Sequence, residues 1–281
     1  MSLTLARRFA SKIGTFSIAV IAALSLSSCA QRQLATQAQP RSIASIEQER
    51  ARAAKFDAQI LAEAKLNKDG TLNRYMRDIA AKLKGARPAG APPITLRVLD
   101  DETPNAFTTG GGYIYIYTGL IKIMQNEAQL AMVIGHEMAH GDLDHINKNQ
   151  QTGAIANTLG KLAQIAIDQS LGSGAGGQFA TVGAGLALKA GYTSFSRDHE
   201  READLVGFRY LAAAGYNTHE GARSFAQLQK ASGGGSGVPW LSSHPLSSER
   251  LKTLSILAKE NPGGRYIGAK TYRRRALSRL R

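Results

Sequence analysis

The chain has 281 residues, 43% hydrophobic and 20% charged, with 29 glycines, 8 prolines and one cysteine. These values exclude a disordered, collagen-like or disulfide-built protein and leave room for one good-sized core. The net charge of +14 taken alone points to nucleic acid or a membrane surface, so the position of that charge decides its meaning.

Residues 1–28 carry Arg7, Arg8 and Lys12 with no acid, then an apolar run from Ile13 to Leu26. A basic start followed by a stretch too short and serine-rich for a membrane span predicts an export signal. It ends Leu26-Ser27-Ser28-Cys29, which resembles a bacterial lipoprotein signal. Cys29 is then the lipidation site, and Ala30 in place of Asp implies sorting to the periplasmic face of the outer membrane. The signal holds three of the positive charges and the segment after Asn261 another seven with no acid, which leaves +4 on the body. An exported chain with a nearly neutral body is not expected to bind nucleic acid. The basic tail, 261–281, is expected either to be solvated or to touch anionic lipid or another envelope polyanion.

Residues 29–42 read as a tether from the lipid anchor. Helical pattern runs from Ile43 to Leu66, stopped by Asp69-Gly70, and again from Thr71 to Leu83 before a Pro/Gly cluster. Ile94–Leu99 and Tyr113–Tyr117 alternate as strands, the second after Gly110-Gly111-Gly112. Helix resumes near Gly119 and from Asn126 through Gly141, where Asn126 and Gln129 form a plausible cap pair. Residues 151–191 are Gly/Ala-rich and read as two loosely packed helices around a flexible turn, a possible lid. Further helices are expected at Ser196–Ala214, Thr218–Ala231 and Ser248–Lys259, with a glycine hinge at 232–237. No repeat period is visible. Residues 43–260 read as one α+β domain, mostly helical with a small β-sheet.

The strongest chemical signal is His136-Glu137-Met138-Ala139-His140. Positions i and i+4 of a helix are separated by about 400° of rotation, so both imidazoles face one way and can share a metal ion, while Glu137 lies roughly 100° around and can reach a water. A catalytic zinc needs a third protein ligand and an open position. The metzincin pattern fails, because Leu143 and Ile146 stand where Gly and His are required and His145 is one residue out of register. A carboxylate from the later segment Ser196–Asp204 is the alternative, and the residues alone leave Glu200 and Glu202 both open.

HEMAH followed some sixty residues on by Glu-x-x-Ala-Asp resembles the HtpX and CAAX-prenyl-protease group of zinc metallopeptidases. Pro104–Phe107, Gly111–Leu120, Ala214–Asn217, and His244-Pro245 with Arg250 are similar to that group's other motifs, so the likeness spans 43–259 and is greatest to its short periplasmic lipoprotein members. The resemblance implies a metalloprotease domain whose small sheet lies beside the zinc helix, with one Zn²⁺ per chain held by His136, His140 and Glu200 and with Glu137 as catalytic base. Asp204, four residues beyond Glu200 and on the same face, then supports a ligating histidine from behind, Glu202 is structural, and His145 and His199 are non-ligating. His244 and Arg250 are candidate partners of the oxyanion, and the resemblance implies that His244 can instead fill the open zinc position and hold the enzyme inactive.

Substrate is expected to add as a β-strand along Gly112–Tyr117, with Asn105, Gly112, Tyr113 and Tyr115 as contacts, although the tyrosine face can equally be packing. The function implied is a zinc endopeptidase acting on misfolded or unassembled envelope proteins. The competing reading is an outer-membrane protein assembly factor or chaperone with a largely latent zinc site, and in either case the outer-membrane assembly machinery is a possible partner.

Overall fold

The computed structural model describes residues 42–151, 195–233 and 238–280. The expected signal and tether, the lipidation site Cys29 and nearly all of the expected lid lie outside the described residues.

Two helices open the domain, α1 (Ile43–Glu63) and α2 (Gly70–Leu83). Both have polar caps: Ser42 Oγ accepts from the Ser45 amide and Asp69 Oδ1 from the Leu72 amide, each satisfying a donor that the first turn leaves free. Three strands follow, β1 (Thr95–Leu99), β2 (Ala106–Gly110) and β3 (Tyr113–Tyr117), in the order β1-β3-β2. β3 is central, parallel to β1 from Thr95↔Tyr113 to Leu99↔Tyr117 and antiparallel to β2 from Ala106↔Ile116, with an irregularity between Thr108 and Gly110. The β2–β3 turn uses Gly110, Gly111 and Gly112, all with positive φ (57–83°). A Cβ at 111 would stand 2.8 Å from the Arg50 backbone, so glycine both permits the turn and lets α1 lie against it.

Ala53 and Ile60 of α1 cover Leu99, Phe107, Tyr113, Tyr115 and Tyr117 on the sheet. Asp57 of α1 ties the same surface down through Arg97 (2.7 Å) and the Tyr115 hydroxyl (2.9 Å).

After α3 (Thr118–Ile123) comes α4 (Glu127–Asp142), all of whose residues are buried. Leu130, Val133, Ile134 and Met138 supply its apolar contacts. Such a helix admits charge only where a partner waits for it. At its start Glu127 accepts hydrogen bonds from Tyr75 (2.6 Å), Tyr216 (2.6 Å), Tyr266 (3.0 Å) and Lys82 (2.6 Å). At its end Asp142, unfavourably placed for the helix dipole, takes a two-pronged bond from Arg87 (2.6 and 2.8 Å) and one from Tyr210 (2.9 Å).

Beyond α5 (His145–Gln151), α6 (Arg197–Ala213) crosses α4 with backbone almost touching backbone. A Cβ on Gly207 would meet His136 N at 2.8 Å, and one on Gly135 would meet Gly207 O at 3.1 Å. The described chain is completed by α7 (Thr218–Ala231), α8 (Pro239–Ser243), α9 (Ser248–Glu260) and α10 (Ala269–Arg275). The basic segment after Asn261 is folded onto the domain and does not stand off as a solvated tail. Asn217 N donates to Tyr266 O (2.9 Å) and Gly264 N to Tyr216 O (3.0 Å), while buried Tyr272 donates to Ile121 O (2.6 Å). Among the described residues no helix is long and apolar enough to cross a membrane.

Candidate active site

The last two turns of α4 present His136 and His140 on one face. Asn126 starts this helix as its cap, accepting from Gln129 N (3.0 Å), and Gln129 Oε1 accepts in turn from Gln125 N (2.9 Å). The helix is therefore fixed from its first turn, and the Gly135–Gly207 crossing sets how close α6 can come.

The two imidazoles turn their Nε2 atoms toward each other at 3.0 Å. Glu200, in the first turn of α6 and capped there by Ser196, places Oε1 3.2 Å from His140 Nε2 and Oε2 3.6 Å from His136 Nε2. His244 Nδ1 lies 2.9 Å from Glu200 Oε1 and 3.2 Å from His136 Nε2. One donor atom from each of His136, His140, Glu200 and His244 falls within 4.8 Å of the others, and all four residues are buried. Three imidazoles and a carboxylate converging in a buried space form a donor set that suits Zn²⁺. Their outer contacts agree with a cation: Asp204 Oδ1 lies 3.0 Å from His136 Nδ1 and His145 Nδ1 lies 2.9 Å from His140 Nδ1, which leaves the Nε2 lone pairs for the centre.

Glu137 faces the same space. The Trp240 indole N–H donates to its Oε1 (3.0 Å), its Oε2 has no hydrogen-bond partner among the described residues, and His244 Nε2 is 3.5 Å from Oε1. Trp240 also stacks on His244, with ring centroids 4.6 Å apart, and Phe195 stacks on His140 at 3.8 Å. Phe195 N donates to Ser243 O (3.1 Å), which fastens the segment before His244 to the start of α6.

Arg250 is placed behind the carboxylates. Its Nε and one terminal nitrogen each bond Asp204 at 2.7 Å, and the other terminal nitrogen is 2.6 Å from Glu200 Oε2. Its remaining contacts are on the Pro245 and His244 carbonyls, so the guanidinium braces both carboxylates from behind.

The electrostatics follow from this packing. Burial pushes His140 down to about 4, against the pull of Glu200. Burial also works against ionised Glu200 and Asp204, but His244 and His136 hold the first well below its ordinary value and Arg250 with His136 holds the second below its own. For His244 the burial penalty is outweighed by the Glu200 and Glu137 carboxylates, and its pKa rises.

The expected substrate strand is corrected. β3 is paired on both sides, so Gly112–Tyr117 has no free edge to offer. Tyr115 is buried against Asp57 and Phe107, and Arg50 lies over the Tyr113 ring. The Asn105 side chain accepts from its neighbour's amide (3.0 Å) and its carbonyl from Tyr117 N (3.0 Å), which extends the β2–β3 pairing by one residue. Two neighbours of the centre went unassigned at the level of sequence. Trp240 is the single tryptophan, four residues before His244, and His145 sits five residues after His140 with no motif to give it a role.

Comparison with known proteins bears on this centre directly. The chain is 28% identical to the putative beta-barrel assembly-enhancing protease of Vibrio cholerae over 69% of its own length and 40% of that protein's. It is 30% identical to metalloprotease LoiP of Escherichia coli over 57% of this chain and 61% of the relative, and 30% identical to the mitochondrial metalloendopeptidase OMA1 of Arabidopsis thaliana over 56% and 30%. The chain thus spans about two fifths of the first of these relatives. Residues 66–258, which include both helices of the donor cluster and the segment bearing His244, match peptidase family M48, and the chain belongs to that family.

Proposed function

We propose that the protein is a zinc endopeptidase in which His136, His140 and Glu200 hold the metal and Glu137 is the catalytic base. The observation that carries this reading is the meeting of those three donors in a buried space that Glu137 also faces. A zinc ion held there would polarise a peptide carbonyl and acidify a water, whose pKa falls from about 15.7 to about 7 in such sites. Glu137 would take that water's proton on Oε2, which has no hydrogen-bond partner among the described residues, and return it to the leaving amine, while Trp240 keeps the other oxygen in place. Asp204 and Arg250 are positioning residues: the first orients His136, and the second keeps Glu200 and Asp204 ionised and still.

β2 supports a revised substrate path. It is an edge strand among the described strands, is buried along its length and packs beside α4, so a peptide pairing with it through the backbone must first displace what covers that edge.

His244 supplies a fourth donor and closes the centre, so its segment must move before a peptide can reach the metal. That observation supports an enzyme held shut until a substrate or partner displaces His244, and it also favours the second reading, an assembly factor that is mostly latent as a protease. The likeness to the assembly-enhancing proteases and LoiP supports misfolded or unassembled envelope proteins as the substrate class. The signal-like start supports an outer-membrane lipoprotein acylated at Cys29 and acting at the periplasmic face.

The test is zinc content and casein cleavage for the parent protein beside Glu137→Gln. One zinc in each, with cleavage by the parent alone, is the expected result. A parent that binds no zinc would overturn the reading.

A further inference from the structure

Helix α6 brings three carboxylates to the site in the short run Glu200, Glu202, Asp204. Two have evident work, since Glu200 joins the donor group and Asp204 stands behind His136. Glu202 is rotated by about 200° from Glu200 and cannot reach the centre. Its Oε2 instead lies 3.0 Å from His145 Nε2, and His145 Nδ1 lies 2.9 Å from His140 Nδ1. His145 is fully buried, its ring lies parallel to His199 at 4.3 Å, and the Glu202 side chain keeps 27% of its surface exposed.

These distances fix where the hydrogens must be. His140 turns Nε2 to the donor group, so as a neutral ligand it carries its hydrogen on Nδ1. Among the described residues the only group at hydrogen-bond distance from that nitrogen is His145 Nδ1, which must therefore accept, and a neutral His145 then carries its own hydrogen on Nε2, aimed at Glu202. We infer that His145 is a positioning residue for the metal site: with Glu202 it forms a carboxylate–imidazole–imidazole chain that locks His140 into its ligating tautomer and orientation and so sets the affinity for zinc. The two ligating histidines are thereby backed by two carboxylates of one helix, His136 directly by Asp204 and His140 through an inserted imidazole. The insertion is needed because Glu202 points to the other side of α6. Groups that orient a ligating histidine from behind typically govern metal affinity by about 10–100-fold.

The inference rests on His140 being a zinc ligand, and its test separates the two claims. Zinc dissociation constants are measured by chelator competition on the full-length protein, together with the rise in Tm that zinc produces. His145→Leu fills the space without accepting a hydrogen bond and is expected to weaken zinc binding about 10–100-fold and to shrink the zinc-dependent part of Tm. His145→Gln, whose amide can accept from His140 and donate to Glu202, is expected to recover most of the affinity. Glu202→Gln, at a partly exposed position, is expected to fall between the parent and His145→Leu, and it keeps the test available should His145→Leu fail to fold. A parent that binds zinc beside His145→Leu or Glu202→Gln with unchanged affinity would overturn the chain. So would a loss in Tm that is the same with and without zinc, because that is the behaviour of packing alone. A parent that binds no zinc would overturn the metal site itself.

Discussion

The two ends of α4 handle buried charge in opposite ways. At the first residue Glu127 is met by four donors, three tyrosine hydroxyls and the Lys82 ammonium, and its carboxylate is saturated. Three turns later the polar atoms are as deeply buried, yet among the described residues Glu137 Oε2 and His244 Nε2 have no hydrogen-bond partner and two imidazole Nε2 atoms face each other. A buried polar group left without a partner costs roughly 1–3 kcal/mol, so the second end is tolerable only as a place that something else completes. One end is built to hold the helix still, and the other to use that stillness.

This contrast can be broken by exchanging function for stability at each end. Glu137→Gln is expected to lower peptide hydrolysis by about 10²–10⁴-fold, the usual worth of a positioned base, with the urea midpoint almost unmoved. A large loss of stability there would mean that Glu137 is a structural partner of Trp240. Glu127→Gln is expected to do the reverse. It should cost about 2–4 kcal/mol in urea unfolding, less than the loss of a fully buried ion pair because Lys82 is 43% exposed, while each folded molecule keeps its zinc and its turnover.

That stability term should also depend on pH. Burial alone would raise the Glu127 pKa, but Lys82, Tyr216 and Tyr75 outweigh it and hold the carboxyl below its ordinary 4.5. A depressed carboxyl pKa gives stability that is fully present above the unfolded value and lost as pH falls through the folded one. The gap between parent and Glu127→Gln should therefore stay constant at neutral pH and narrow below about 4.5. A gap that widened with acid would contradict the charge assignment.

The smallest effect is expected at His244. If its imidazole closes the site for most of the time, His244→Ala should raise cleavage of a short peptide by on the order of tenfold, the ratio between a site always open and one open a tenth of the time. A fall would instead make His244 a partner of the reaction.

Much of this was legible in sequence where the signal is local. The α4 start follows from Asn126, whose side chain caps the next turn, and the spacing of His136 and His140 follows from the helix period. β2 escaped the pattern because Ala-Phe-Thr-Thr-Gly is buried throughout and so lacks alternation. α10 escaped because one buried side chain, Tyr272, anchors seven residues that otherwise look solvated. The roles of Arg250 and His145 depend on partners 46 and 57 residues away, Asp204 and Glu202, and no periodicity encodes such meetings. The likeness of motifs singled out Glu200, which meets His136 and His140 in the fold, whereas the engagement of Arg250 and the paired edges of β3 had to be seen.

The crossing at Gly207 carries one more consequence. Metal centres accept ligand distances within about 0.2 Å of their preferred values, and here the interval between the two helices that carry His136, His140 and Glu200 is set by the hydrogen that glycine has in place of a methyl group. A single added carbon at position 207 would wedge α6 away from His136 and carry Glu200, two turns upstream, with it. The spacing of the donor residues is thus governed partly by a residue that supplies no donor atom, and mutational scans that score only polar positions would overlook it.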